Sequence, residues 1–108
     1  DMQVVMKFYI GSDQDLSVAE RLIKESLLTS RYVYLEKPIV VLVQQTIVAD
    51  LVVIELIGKA YVLDTKYEKA FKTDVSKRVL DAFRKYGVLM PATFSRSNRQ
   101  DDRLPDAA

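Results

Sequence analysis

The sequence predicts an α+β sandwich of four strands and two helices, with both helices on one face of an antiparallel sheet. Three observations lead there. Alternating apolar residues mark strands at the start and in the middle of the chain. Two stretches carry apolar residues at helical spacing. The resulting order, strand, helix, strand, strand, helix, strand, is the ferredoxin-like βαββαβ arrangement.

The first strand is expected over Gln3 to Ile10. Val4, Met6, Phe8 and Ile10 share one face, and Val5, Lys7 and Tyr9 the other. Gly11 ends it, and Ser12 and Asp13 are helix-start residues. From Asp15 to Leu28 the period changes. Leu16, Ala19, Ile23 and Leu27 recur three and four apart, which places them on one side of a helix. A connection follows, closed by Pro38. Ile39 to Val48 opens with an apolar, β-branched run and is read as the second strand.

Ala49-Asp50 is the expected turn, although it lacks the Asn-Gly or Asp-Gly pair that favours a tight hairpin. The third strand runs Leu51 to Leu63. Its uncharged face, Val52, Ile54, Leu56, Gly58, Ala60 and Val62, should meet the helices, with Gly58 letting a helix approach. Thr65 followed by Glu68 reads as a capping box for the second helix. Tyr67, Phe71, Val75, Val79, Phe83 and Tyr86 form its apolar stripe, and Gly87 stands where a terminating glycine belongs. Val88 to Met90 is expected as a short fourth strand at a sheet edge, because Pro91 has no amide hydrogen to donate. These elements make one domain over residues 1–94, followed by a polar, flexible tail over residues 95–108.

Composition narrows the chemistry. The chain has 108 residues, 49% of them hydrophobic and 29% charged, the balance of a globular domain. Sixteen basic side chains against 15 acidic ones leave a net charge of +1, so no overall field draws the chain to nucleic acid or anionic lipid. There is no cysteine and no histidine. Disulfides, thiolate metal sites and the commonest general base are thereby removed. No metal and no cofactor are expected. Asp13 and Asp15 read as helix-capping residues rather than a catalytic pair, and Asp101 and Asp102 fall in the polar tail. No catalytic constellation emerges, and the chain is expected not to be an enzyme. The apolar region Ile39 to Leu63 is broken by Gln44, Gln45, Asp50, Glu55 and Lys59, so no transmembrane span is expected. The opening Asp1 suggests a piece of a longer protein.

Two stretches carry a resemblance. TKYEKAFKTDVSKRVLDAFRKYGVLMP, Thr65 to Pro91, resembles the end of the small-conductance mechanosensitive channel family through Asp64-Thr65, Tyr67, Lys77-Arg78, Leu80, Ala82-Phe83, Gly87-Val88 and Met90-Pro91. RYVYLEKPIVVLV, Arg31 to Val43, is similar to that family's entry into its second strand through Arg31, Val33, Leu35, Pro38 and Val40. The family continues its last proline with Phe-Pro-Gln, whereas Ala92-Thr93-Phe94 stands here. The resemblance implies a soluble C-terminal domain on the cytoplasmic side of the cell inner membrane, in a channel of the osmotic-stress response. It implies a homo-oligomer of seven subunits whose domains form a cage that solutes cross to reach the pore. It also implies a membrane tie through upstream segments and no nucleic-acid partner.

The sheet face away from the helices should be covered by a neighbouring subunit or domain, with Tyr9, Val53, Ile57 and Tyr61 as candidate interface residues. The rival reading is a single-stranded nucleic-acid binder of the RNA-recognition type. Lys7 to Gly11 and Gly58 to Val62 faintly resemble its aromatic motifs, and Tyr9 and Tyr61 share the open face. A ferredoxin-like regulatory or sensing domain is a further alternative.

Overall fold

The structure is a computed structural model that describes residues 1–91; the expected tail, residues 95–108, lies outside them. Strand β1 spans Met2–Gly11, helix α1 Leu16–Thr29, strand β2 Val40–Val48, strand β3 Leu51–Val62 and helix α2 Glu68–Tyr86. A 3-10 turn, Thr65–Tyr67, leads into α2. The sheet has three strands in the order β1-β3-β2, antiparallel throughout.

The expected four-stranded ferredoxin-like sheet is therefore corrected to a three-stranded one. Val88 to Met90 does run beside the end of β1, and the Gly11 amide donates to the Leu89 carbonyl at 3.1 Å. The segment nevertheless does not join the sheet, whose edge on that side is β1. The Leu89 amide donates instead to the Gln14 side-chain Oε1 at 2.8 Å. Pro91, which is buried, has no N–H to extend the pairing. The segment is thus a packed terminal strap, with Val88 in the core.

Both helices lie on one sheet face, as the periodicity requires. Val4, Met6 and Ile10 of β1 and Ile54, Leu56, Ala60 and Val62 of β3 meet Ala19, Leu22, Ile23 and Leu27 of α1 and Phe71, Val75, Val79 and Phe83 of α2. A Cβ placed on Gly58 would sit 3.0 Å from a Leu27 methyl and 3.5 Å from an Ile23 methyl, so glycine lets α1 lie close to the sheet. Val52, expected in this core, is 48% exposed, and its cross-strand partner Ile47 is 71% exposed. These residues point to the helix side but lie at the hairpin end, past the pairing of Gly11 with Val53 that closes the β1 ladder.

The expected turn is a two-residue loop. Ala49 and Asp50 have φ of 52° and 62°, both left-handed, which is the pattern of a type I′ hairpin turn. Asp15 caps α1 by accepting from the Val18 amide at 3.2 Å. Before α2 the expected capping box does not form. Asp64 takes the part given to Thr65, accepting from the Lys66 amide at 3.1 Å and from the Thr65 hydroxyl at 3.3 Å. Gly87, with φ of 73°, ends α2 in the left-handed conformation that glycine adopts without a Cβ penalty.

Candidate functional site

The register fixes what stands on the face turned away from the helices. Its cross-strand rows are Gly11–Val53–Thr46, Tyr9–Glu55–Gln44, Lys7–Ile57–Leu42, Val5–Lys59–Val40 and Gln3–Tyr61. All four candidate interface residues stand on this face, because odd-numbered residues of β3 share one side of the pleat. They differ in what they present. Val53 is fully buried and offers no side-chain surface to a partner, while Tyr9, Ile57 and Tyr61 are half-buried. Beside them Val5, Val40 and Leu42 are exposed, Leu42 to 45%. The exposed β2 valine and leucine were not among the sequence candidates, because their face depends on a register that the sequence does not state.

The row at the centre is polar. The Tyr9 hydroxyl donates to Glu55 Oε2 at 2.9 Å, and the Gln44 amide donates to Glu55 Oε1 at 2.6 Å. Glu55, only 7% exposed, thus has one oxygen satisfied from each flanking strand. The Gln44 and then the Tyr9 hydrogen bonds hold its carboxyl below the ordinary range, with a smaller pull from Lys7, against a desolvation that acts the other way. The same bond, with burial and the neighbouring negative charge, pushes the Tyr9 phenol up. An ionised, doubly bonded carboxylate ties three strands together and has no free oxygen aimed at a substrate. Among the described residues, no three Asp or Glu side chains gather into a set that could hold a metal ion.

Tyr9 and Tyr61 are not neighbours. Tyr61 pairs with Gln3, six residues along β1 from Tyr9, which separates the two rows by about 20 Å at about 3.3 Å per residue. Successive bases stacked on one platform need aromatic rings much closer than that. Lys37 Nζ lies 5.5 Å from the Tyr61 ring centroid and 3.5 Å from the Asp1 carboxylate, so the end of the face near Tyr61 is closed over by the loop before β2.

Each acid of α2 meets a base of the same helix. Glu68 meets Lys72 at 3.3 Å, Asp74 meets Arg78 at 3.0 Å and Asp81 meets Arg84 at 3.9 Å. The middle pair also joins the helices. The Ser30 hydroxyl donates to Asp74 Oδ2 at 2.6 Å, and Arg78 reaches the Thr29 hydroxyl at 3.4 Å. The Ser30 bond, then Arg78 and Arg31, hold the Asp74 carboxyl below its ordinary range, outweighing its partial burial.

No helix among the described residues is long and apolar enough to cross a membrane. No known family model matches the chain, and no curated protein matches it significantly.

Proposed function

We propose that this chain is an assembly domain whose open sheet face packs against another polypeptide, and specifically a cytoplasmic domain of a small-conductance mechanosensitive channel. The observation that carries the assembly role is the set of apolar residues Val5, Val40, Leu42, Ile57 and Tyr9, part exposed and part half-buried, on the face that no helix among the described residues covers. Lys7 and Lys59 interleave with these residues, and exposed apolar surface bordered by polar groups in this way marks a contact site. The Glu55 carboxylate borders these residues with both oxygens already hydrogen-bonded, so covering it leaves neither oxygen unpaired. The specific, channel form of the reading rests on the sequence pattern from Thr65 to Pro91 and from Arg31 to Val43.

In that form, copies of the domain pack head to tail around a ring on the cytoplasmic side of the inner membrane, and seven of them enclose the cage. Membrane-embedded upstream segments hold the copies together. Linkage of this sort raises the effective concentration of each face for its neighbour to the order of millimolar, so a weak contact suffices.

Light scattering on the full-length protein in detergent tests both levels. A closed ring of several subunits is expected, and Ile57→Asp together with Leu42→Asp should loosen it while leaving the circular dichroism of the isolated domain unchanged. A monomer or a plain dimer would overturn the channel form. An intact ring in the double variant would overturn the role given to this face.

A further inference from the structure

The connection from α1 to β2 lies over α2 and leaves two adjoining hollows that share Arg31 and Tyr32. One, of about 480 Å³, is completed by Lys69, Thr73, Asp74 and Lys77. The other, of about 350 Å³, is completed by Val33, Tyr34, Leu63 and Tyr67. Each volume is in the range of a small-molecule site. We propose that this cleft binds a nucleotide, with its phosphates against Arg31, Lys69 and Lys77 and its base against the tyrosines.

The electrostatic half of the argument comes from the acids. Lys69, Thr73 and Lys77 are four apart and so lie on one stripe of α2. The acids of that helix are taken up by other partners: Glu68 by Lys72, Asp81 by Arg84, and Asp74 by Arg78 and Ser30. Among the described residues none of Arg31, Lys69 and Lys77 is in an ion pair. The one carboxylate in the lining, Asp74, is paired with Arg78 and also feels Arg31, so three basic side chains line the hollow against a single acid that already has its partner. A guanidinium and two ammonium groups lining one hollow favour a multiply charged phosphate over a single carboxylate.

The second hollow supplies what a bare phosphate site would lack. Tyr32 and Tyr67 stand with ring centroids 6.1 Å apart and planes tilted by 34°. The Arg31 guanidinium lies 5.5 Å from the Tyr32 centroid, and Lys66 Nζ lies 5.1 Å from that of Tyr67. Leu63 and Val33 add apolar wall. A planar base set against these rings gains stacking contact, and its phosphates then fall toward the α2 lysines because the two hollows meet at Arg31 and Tyr32. The site is independent of the open sheet face and of any channel reading.

Isothermal titration of the protein at low salt with adenosine triphosphate, adenosine and inorganic phosphate tests this, with amide shifts by nuclear magnetic resonance to locate the contact. The triphosphate should bind, its shifts confined to Arg31–Tyr34 and Leu63–Lys77, and adenosine and phosphate should each bind at least about tenfold more weakly, since each fills half the site. Lys69→Glu with Lys77→Glu, both exposed positions, should weaken the triphosphate at least about tenfold, checked against unchanged circular dichroism. Tyr32→Ala should weaken the triphosphate and leave phosphate unchanged. Absence of triphosphate binding at millimolar concentration would overturn the proposal. So would insensitivity to the lysine changes, phosphate binding as tight as the triphosphate, or single-stranded RNA binding far more tightly than the mononucleotide.

Discussion

The hairpin turn offers the sharpest test of the backbone. Ala49 and Asp50 both sit at positive φ, and Val48 pairs with Leu51 directly across them. An L-residue in the left-handed region meets its own carbonyl through its Cβ, at a cost of about 1–2 kcal/mol, less for Asn and Asp. Ala49 therefore carries most of the strain. Both side chains are exposed, so a substitution there changes backbone energy and little packing. Ala49→Asn should recover about 0.5–1 kcal/mol. Asp50→Gly should be nearly neutral, because the relief is offset by about 0.5–1 kcal/mol of extra entropy in the unfolded chain. The double variant should gain about 1 kcal/mol, a rise of about 4–8 °C in Tm for a domain of this size. Ala49→Val should lose about 1–2 kcal/mol, since a β-branched residue resists positive φ most strongly. Urea titration with an unchanged slope would read these as true stability changes. A destabilised Asn-Gly variant, or a Val variant as stable as the parent, would refute the left-handed turn.

The remaining predictions concern the core and the central carboxylate. Phe83 is buried in the core between α2 and the sheet, so Phe83→Ala should cost about 3–5 kcal/mol, whereas Leu80→Ala on the exposed side of the same helix should cost under about 1 kcal/mol. Comparable losses at the two positions, in denaturant titration, would show the helix face to be misassigned. Glu55 has its folded pKa held below the unfolded value, so its contribution is complete above the ordinary carboxylate range and is lost as pH falls through the folded value. The stability gap between the parent and Glu55→Gln should accordingly narrow from about pH 7 to about pH 3. A gap that stays constant or widens on acidification would mean that the Tyr9 and Gln44 bonds do not favour the charged form.

How far the sequence reached can be followed in its elements. The two helices were legible because Ile23 and Leu27, and Phe71, Val75, Val79 and Phe83, repeat at the helical period and are the residues found buried. Strand bounds and the turn at Ala49-Asp50 came from alternation and from a break in it, and the left-handed backbone there was not readable because neither residue demands it. The fourth strand was overread. Val88 to Met90 has strand-forming residues, but pairing is decided by which donor reaches the neighbouring carbonyls, and Gln14 answered Leu89 in place of β1. The capping box failed for a similar reason: Asp64, one residue earlier, closes a 3-10 turn before the α-helix begins.

The open face shows the same division. Local alternation alone put Tyr9, Val53, Ile57 and Tyr61 on one side, since the pleat has a period of two. Alternation could not say that Val53 is buried, that Leu42 joins the apolar residues of this face, or that Tyr9 and Gln44 converge on Glu55, because each depends on cross-strand register. In the sequence the basic residues of α2 simply interleave with Glu68, Asp74 and Asp81. Spacing along α2 shows which charges alternate, but only the packing of the α1–β2 connection against that helix brings Arg31 and Tyr32 to Lys69 and Lys77. Period and composition are properties of a segment and can be read within it. Register, solvent access and the meeting of residues about forty positions apart belong to the closed chain, since each is set by which surfaces exclude water together.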